Sequence, residues 1–209
     1  MPEKKTCFLN ISLIILALSF SLTLLPFSHL RASESHAEEN VSPEMPPGGN
    51  FTLNSADGAI SLNRYKGKVV ALLFGYTECP EICPGFLTVM SRAFAGLSED
   101  DVKKVRGFFI SFDPQRDSLE KLKEYSAYFH PNIAGLSGSV EEVEKVAEQY
   151  GALYYKIEKG GSPGDYHFLH SANIYLISPE GKLEYIFNEN SPPSEVTAAI
   201  RSLLEKGKL

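Results

Sequence analysis

The chain is 209 residues long, 43% hydrophobic and 11% aromatic, with a formal net charge of −6. That length suits one domain with a sizeable core plus appendages, and the acidic balance argues against a nucleic-acid surface. Of three cysteines, Cys7 lies in an N-terminal apolar stretch, which leaves one candidate pair in the folded part and no disulfide framework.

Residues 1–37 read as a targeting segment. Lys4 and Lys5 precede an uncharged run, 8–27, that is longer than a usual signal-peptide core and just reaches the length of a membrane span. Two readings stay open. Ser35-His36-Ala37 offers small residues at a signal-peptide cleavage site; uncleaved, the run is a single membrane anchor with Lys4 and Lys5 keeping the N-terminus inside. Either way the remainder is expected outside the cytoplasm, in a bacterial periplasm, where cysteines can be oxidised. Residues 38–50, rich in proline and glycine, form a tether, and 51–209 the folded domain. Without 1–37 the chain holds 17 basic and 24 acidic side chains, a net charge near −7, so an anionic membrane surface is a poor partner.

Phe51-Thr52-Leu53 and Ala59-Ile60-Ser61-Leu62 flank an Asp57-Gly58 pair, a hairpin signal. The apolar run 69–74 reads as a buried strand that breaks at Gly75. It delivers Cys79 and Cys83, four residues apart and each followed by proline (Pro80, Pro84). A first helix is expected from about Cys83 and Pro84, since proline is tolerated in a first turn, to near Gly96. Phe86, Leu87, Met90 and Phe94 form its apolar stripe, and Met90 reads as core. Residues 105–112 are a second apolar strand. Asp117 and Glu120 have capping-box spacing ahead of a second helix marked by Leu119, Leu122, Tyr125, Tyr128 and Phe129. His130 closes that helix as a surface or capping residue. After a short strand, 133–136, Ser139 caps a third helix with Glu142 as its partner and Val140, Val143, Val146, Ala147 and Tyr150 on its apolar face.

Residues 152–157 read as a strand, followed by a glycine- and proline-rich loop, 158–165, that ends in Tyr166-His167-Phe168-Leu169-His170-Ser171. Runs 174–177 and 183–187 flank a turn at Ser178-Pro179-Glu180-Gly181. Ser191 is the expected cap of a final helix, with Pro192-Pro193 in its first turn and Val196, Ile200, Leu203 and Leu204 inward. Strands alternating with helices make an α/β fold whose central mixed sheet is flanked by helices on both faces. It resembles a thioredoxin fold with an N-terminal β-hairpin and an inserted helix.

Two thiols where a strand ends and a helix starts lie near orphan N–H groups and the positive end of the helix dipole, which lowers thiol pKa values. A four-residue offset brings their Cβ atoms roughly 5–6 Å apart. That geometry suits a disulfide and equally suits two thiolates on one metal ion. The candidate third ligands are His130, His167 and His170. His170 follows the loop and directly precedes a strand-like run, 172–177, so the order of strands can bring it to the start of the first helix. Two thiolates and an imidazole suit copper, the thiolates favouring Cu(I) and the imidazole helping to hold Cu(II).

Residues 49–204 resemble the Sco/SenC family of copper-binding, thioredoxin-like proteins. The resemblance rests on FGYTECPEICP, SFDPQRD and HSANIYLISPEG, and on Gly138, Val143, Ala147 and Tyr150, which fit the family's GxxxxVxxxAxxY helix. It implies a membrane-tethered chaperone that receives copper, from a donor chaperone for example, and delivers it to the binuclear CuA centre in the copper-bearing subunit of cytochrome c oxidase. By the same match Cys79, Cys83 and His170 would be the copper ligands. One departure stands out: the family usually has an acidic residue directly before its histidine, where this chain has Leu169. His167 is the nearest residue that could compensate. Asp113 and Arg116 match a family motif, though locally they read as the end of a strand and the approach to a helix.

A second function class stays open, an extracytoplasmic thiol–disulfide oxidoreductase in which one cysteine attacks and the other resolves. A peroxidase lacks the expected threonine-to-cysteine arrangement, and a structural zinc site would want a fourth ligand.

Overall fold

The Asp-Gly signal forms its hairpin: Thr52–Ser55 (β1) pairs antiparallel with Gly58–Ser61 (β2), and Gly58 takes φ 110°, a conformation that favours glycine. The computed structural model describes residues 45–161 and 164–207. The run 8–27, Cys7, the cleavage-site residues and most of the tether lie outside the described residues. Among the described residues no helix is long and apolar enough to cross a membrane.

A 3₁₀ turn, Leu62–Tyr65, leads to Val69–Gly75 (β3), buried at every position. Ile82–Ala95 (α1), a short helix Glu99–Val102 (α2), Val105–Ser111 (β4), Leu119–Phe129 (α3), Ile133–Leu136 (β5) and Val140–Gln149 (α4) follow. Then come Tyr154–Glu158 (β6), Tyr166–His170 (β7), Ile174–Ile177 (β8), Leu183–Phe187 (β9) and Pro193–Lys206 (α5). The central sheet runs β5-β4-β3-β8-β9, with β3, β4 and β5 parallel and β8 and β9 antiparallel to their neighbours. A strand buried on both faces has no polar side to show, which is why β3 reads as an unbroken apolar run.

Side chains alternate between the two faces of the sheet. On one face Gly107 of β4 lies under α1, where a Cβ would come within 3.0 Å of Met90 Sδ and 3.2 Å of the Phe94 ring. Gly135 of β5 lies as close beneath Leu122 of α3. Helix α5 packs beside α1, and the Thr197 hydroxyl donates to the Ala93 carbonyl at 3.0 Å. On the other face Phe74 meets Tyr150 at the end of α4 and Tyr175 of β8, with ring centroids 6.2 and 5.8 Å apart. Phe108 there takes Tyr65 edge-on. Each of these large buried side chains contributes about 1.5–3 kcal/mol by leaving water. The expected mixed sheet flanked by helices is the architecture observed.

Several local expectations change. Helix α3 is capped by Ser118, whose hydroxyl accepts from Lys121 N–H, and not by Asp117, which is buried elsewhere. Tyr128 is 85% exposed, and Ser126 takes the inward position on that helix. Ser139 and Glu142 form the expected capping box, but Val140 points outward. Pro192 and not Ser191 occupies the N-cap of α5, with Pro193 as its first helical residue. The largest change is at Tyr166–His170, which is a strand paired with β6 in a two-stranded sheet of its own. His170 therefore ends a hairpin instead of opening the next strand of the central sheet.

Candidate metal centre

Helix α1 begins at Ile82, one residue ahead of the expected start, so Cys83 lies in its first turn. The N-cap Glu81 makes no side-chain cap; Cys83 N–H instead donates to Cys79 Sγ at 3.4 Å. The sulfur thus satisfies one of the orphan donors of the helix start. Cys79 is itself set by a turn, with its N–H donating to the Tyr76 carbonyl at 3.3 Å. Gly75 makes room beneath: a Cβ there would lie 2.5 Å from Cys83 Sγ and 2.7 Å from the Phe109 ring.

His170 arrives from the end of β7. Its Nε2 lies 3.7 Å from Cys79 Sγ and 3.7 Å from Cys83 Sγ. Its Nδ1 lies 3.0 Å from the Ser171 carbonyl, a bond in which the ring must donate, so Nε2 keeps its lone pair toward the sulfurs. The three ligand atoms all lie within 4.8 Å of one another. A point equidistant from them sits roughly 2.0–2.4 Å from each, which covers Zn–N and Zn–S bond lengths taken as a guide. One soft metal ion therefore fits the set without any ligand moving far.

The electrostatics prepare that set. The Cys83 thiol donates to Cys79 and, against the cost of burial, the Cys83 backbone N–H and the His170 ring, when it carries a proton on Nε2 as well as Nδ1, assist, so the Cys79 pKa falls to about 4. Cys83 is pushed up by the same hydrogen bond and by its burial. Both sulfurs are free, and the hydrogen bond between them eases loss of the pair's first proton and opposes loss of its second. For His170, burial opposes protonation, but the Cys79 thiolate and the Ser171 carbonyl raise its pKa on balance.

The other histidines are not brought in. His130 caps α3; its ring is edge-on to Phe94 and its Nδ1 accepts from Asn132 N–H at 3.0 Å. His167 is exposed on the outward face of β7, which it shares with Leu169, 65% exposed, whereas Tyr166, Phe168 and His170 face inward. His167 therefore does not replace the missing acidic neighbour.

Residues that the sequence reading treated as local structure form the frame of the site. The buried Asp117 carboxylate accepts from Thr77 N–H at 2.9 Å, from the Thr77 hydroxyl and from the Ser111 hydroxyl at 2.7 Å. It ties the cysteine loop to the end of β4. Arg116 Nε pairs with Asp113 at 2.5 Å, Arg116 Nη1 donates to the Tyr166 carbonyl at 2.9 Å, and Tyr166 Oη donates to Asp113 at 2.7 Å. The SFDPQRD motif was the available signal for both; its tertiary partners, 40 to 53 residues away, were not. Tyr76 and Phe112 lie against His170, Phe168 packs on Tyr76, and Tyr154 is stacked 4.5 Å from Phe112. Two grooves, of about 720 and 620 Å³, share Glu81, Ile82 and His170 in their walls, and the second also reaches Cys79.

A family model described as SCO1/SenC matches residues 40–205. Protein SCO1 homolog 1, mitochondrial, of Arabidopsis thaliana is 37% identical over 154 residues, 73% of this chain and 46% of that protein. Protein sco1 of Schizosaccharomyces pombe is 37% identical over 158 residues, 74% and 60% of the two chains. The chain thus spans about half to three fifths of the length of these curated relatives. Among solved structures, Arabidopsis thaliana ScoI with copper bound matches with TM-score 0.68 at 35% identity, covering 76% of this chain and 98% of that one. BsSco, a member of the Sco family of cytochrome c oxidase assembly proteins, matches with TM-score 0.61 at 27% identity, covering 78% and 96%. The span of the family model includes both cysteines, the SFDPQRD segment and His170, and the fold agrees with the Arabidopsis structure: the chain belongs to the SCO1/SenC family.

Proposed function

We propose that the chain is a copper metallochaperone that binds one ion through Cys79 Sγ, Cys83 Sγ and His170 Nε2 and supports assembly of the CuA centre of cytochrome c oxidase. The observation that carries this reading is the convergence of the three ligand atoms within 4.8 Å. Copper is the cargo. The two sulfurs suit Cu(I), and a nearby imidazole extends the site to Cu(II). The Cys79 thiol gives up its proton readily, uptake displaces the proton of Cys83, and His170 offers Nε2 because its other nitrogen is committed to Ser171. Copper bound to the Arabidopsis relative and the oxidase-assembly role of BsSco's family support the cargo and the client. The remaining parts of the reading are a periplasmic location, tethering or export by residues 1–37, a copper-bearing oxidase subunit as acceptor and a separate copper donor.

The test is copper titration of the full chain beside Cys79→Ala, Cys83→Ala and His170→Ala. The parent is expected to bind one equivalent, the cysteine variants to lose both oxidation states, and His170→Ala to lose Cu(II). A parent that binds no copper yet reduces disulfides rapidly would overturn the reading. One observation favours that second function: a thiolate beside a protonated thiol is the arrangement of an attacking and a resolving cysteine. Against it, both cysteines are buried, Cys79 at 6% exposure, and thiol exchange has no use for His170.

A further inference from the structure

The histidine reaches the cysteines on an arm that is separate from the sheet. Among the described residues, strands β6 and β7 pair only with each other, and the central sheet contains neither. The arm is pinned to the body at two places. Near His170 the pin is aromatic: Phe168 and Tyr154 pack on Phe112, Phe168 is edge-on to Tyr76, and Phe168 N–H donates to Tyr76 Oη at 3.5 Å. At the other end the pin is polar. Arg116 uses Nε on Asp113 and Nη1 on the Tyr166 carbonyl, its guanidinium lies 3.7 Å from the centre of the Tyr166 ring, and Tyr166 Oη closes the triangle on Asp113. Tyr166 and His170 lie on the same face of β7, four residues apart, about 13 Å along the strand. The aromatic cluster lies between them, so Tyr166 and His170 are two ends of one strand held at both ends.

We infer that Arg116, held by Asp113 and Tyr166, is a positioning residue that decides whether the metal site has three ligands or two. The inference rests on the proposed copper site and deepens it. The sulfurs sit on α1 and its preceding loop, which Asp117 braces and where Gly75 leaves room for Cys83, while Tyr76 is shared between that loop and the arm. Loosening the clamp therefore withdraws the imidazole and leaves the dithiol in place. Two thiolates alone still suit Cu(I), whereas Cu(II) depends on the nitrogen. Two different nitrogens, Nε and Nη1, meet the Asp113 carboxylate and the Tyr166 carbonyl, and the single Nζ of lysine cannot occupy both positions, so lysine at 116 keeps the charge and loses the clamp.

The experiment compares full-chain parent, Arg116→Lys and Tyr166→Phe, the latter a mild change that removes a single hydroxyl. For Arg116→Lys the expected result is a fall in Cu(II) affinity of about 10–100-fold, the usual effect of losing a residue that orients a ligand. Cu(I) affinity is expected to stay within about threefold, and the nitrogen hyperfine splitting of the Cu(II) resonance to disappear. Tyr166→Phe is expected to fall between parent and Arg116→Lys. Equal loss of both oxidation states, or unchanged nitrogen splitting in both variants, overturns the inference. In the metal-free protein, amide exchange in β6 and β7 should quicken while that of β3 and α1 does not; uniform quickening, or none, also overturns it. If the parent takes up no copper, the proposed function fails by itself and this metal-free readout decides the clamp.

Discussion

His170 shows how one backbone carbonyl sets the chemistry of a side chain. Because Nδ1–H is spent on Ser171, the tautomer that presents Nε2 to the two sulfurs is selected before any metal arrives. Gly75 is as specific in the opposite sense, since its missing Cβ leaves space for Cys83 Sγ. Gly75→Ala is expected to destabilise the protein by about 1–3 kcal/mol, as overpacking in a filled core does, measured by urea unfolding. Leu169 is the contrasting case. It points outward at 65% exposure, so Leu169→Glu should leave stability within about 0.5 kcal/mol and leave the ligand set intact. A larger loss would mean that Leu169 is packed in solution. His130 carries the pH prediction. Burial lowers its pKa, and its Nδ1 must stay unprotonated to accept from Asn132. The folded state then binds fewer protons than the unfolded state, so this residue's contribution is present above the unfolded pKa and is lost as pH falls through the folded one. His130→Asn should flatten the loss of stability between pH 7 and 5 in parallel urea titrations.

At the scale of elements, the cysteine loop is held by what lies under it. Asp117→Ala would strand the Thr77 and Ser111 donors, and a loss of about 1.5–3 kcal/mol is expected from the hydrogen bonds to a charged group, with near-normal helix content by circular dichroism. An unchanged midpoint would show that the carboxylate does not brace the loop. Ser139→Ala removes the complete capping box of α4 and should cost about 1 kcal/mol. Elements with their own period or local chemistry were legible: β3 from its apolar run, α1 from Phe86, Leu87 and Met90, α4 from Ser139 and Glu142. The β6–β7 hairpin was not. Tyr166–His170 alternates inward and outward as a strand should, but its inward residues are aromatics and a histidine that pack on Phe112 and Tyr76 from distant segments. For Asp117, helix-cap spacing and burial beneath the cysteine loop compete for one side chain, and Ser118 takes the cap. Local spacing could not show that the neighbour was available.

For the whole molecule, the arrangement separates a fixed part from an adjustable one. The two sulfurs belong to the junction of β3 and α1 within the central sheet layer, and the imidazole belongs to a hairpin outside it. The sequence by itself determined the α/β class, the strand-to-helix placement of Cys79 and Cys83 and, through its motifs, His170 as the third member. The first two are consequences of short-range periodicity, turn chemistry and spacing, whereas His170 was singled out only by the resemblance to the family's His-led strand. Only the tertiary structure decided that His170 ends a separate hairpin, that Asp113, Arg116 and Tyr166 clamp that hairpin, and that Asp117 braces the thiol loop. The docking of the hairpin, the clamp and the brace each draw on contacts between residues 40 or more positions apart, whose geometry is set by how the layers pack and by no local pattern in the chain.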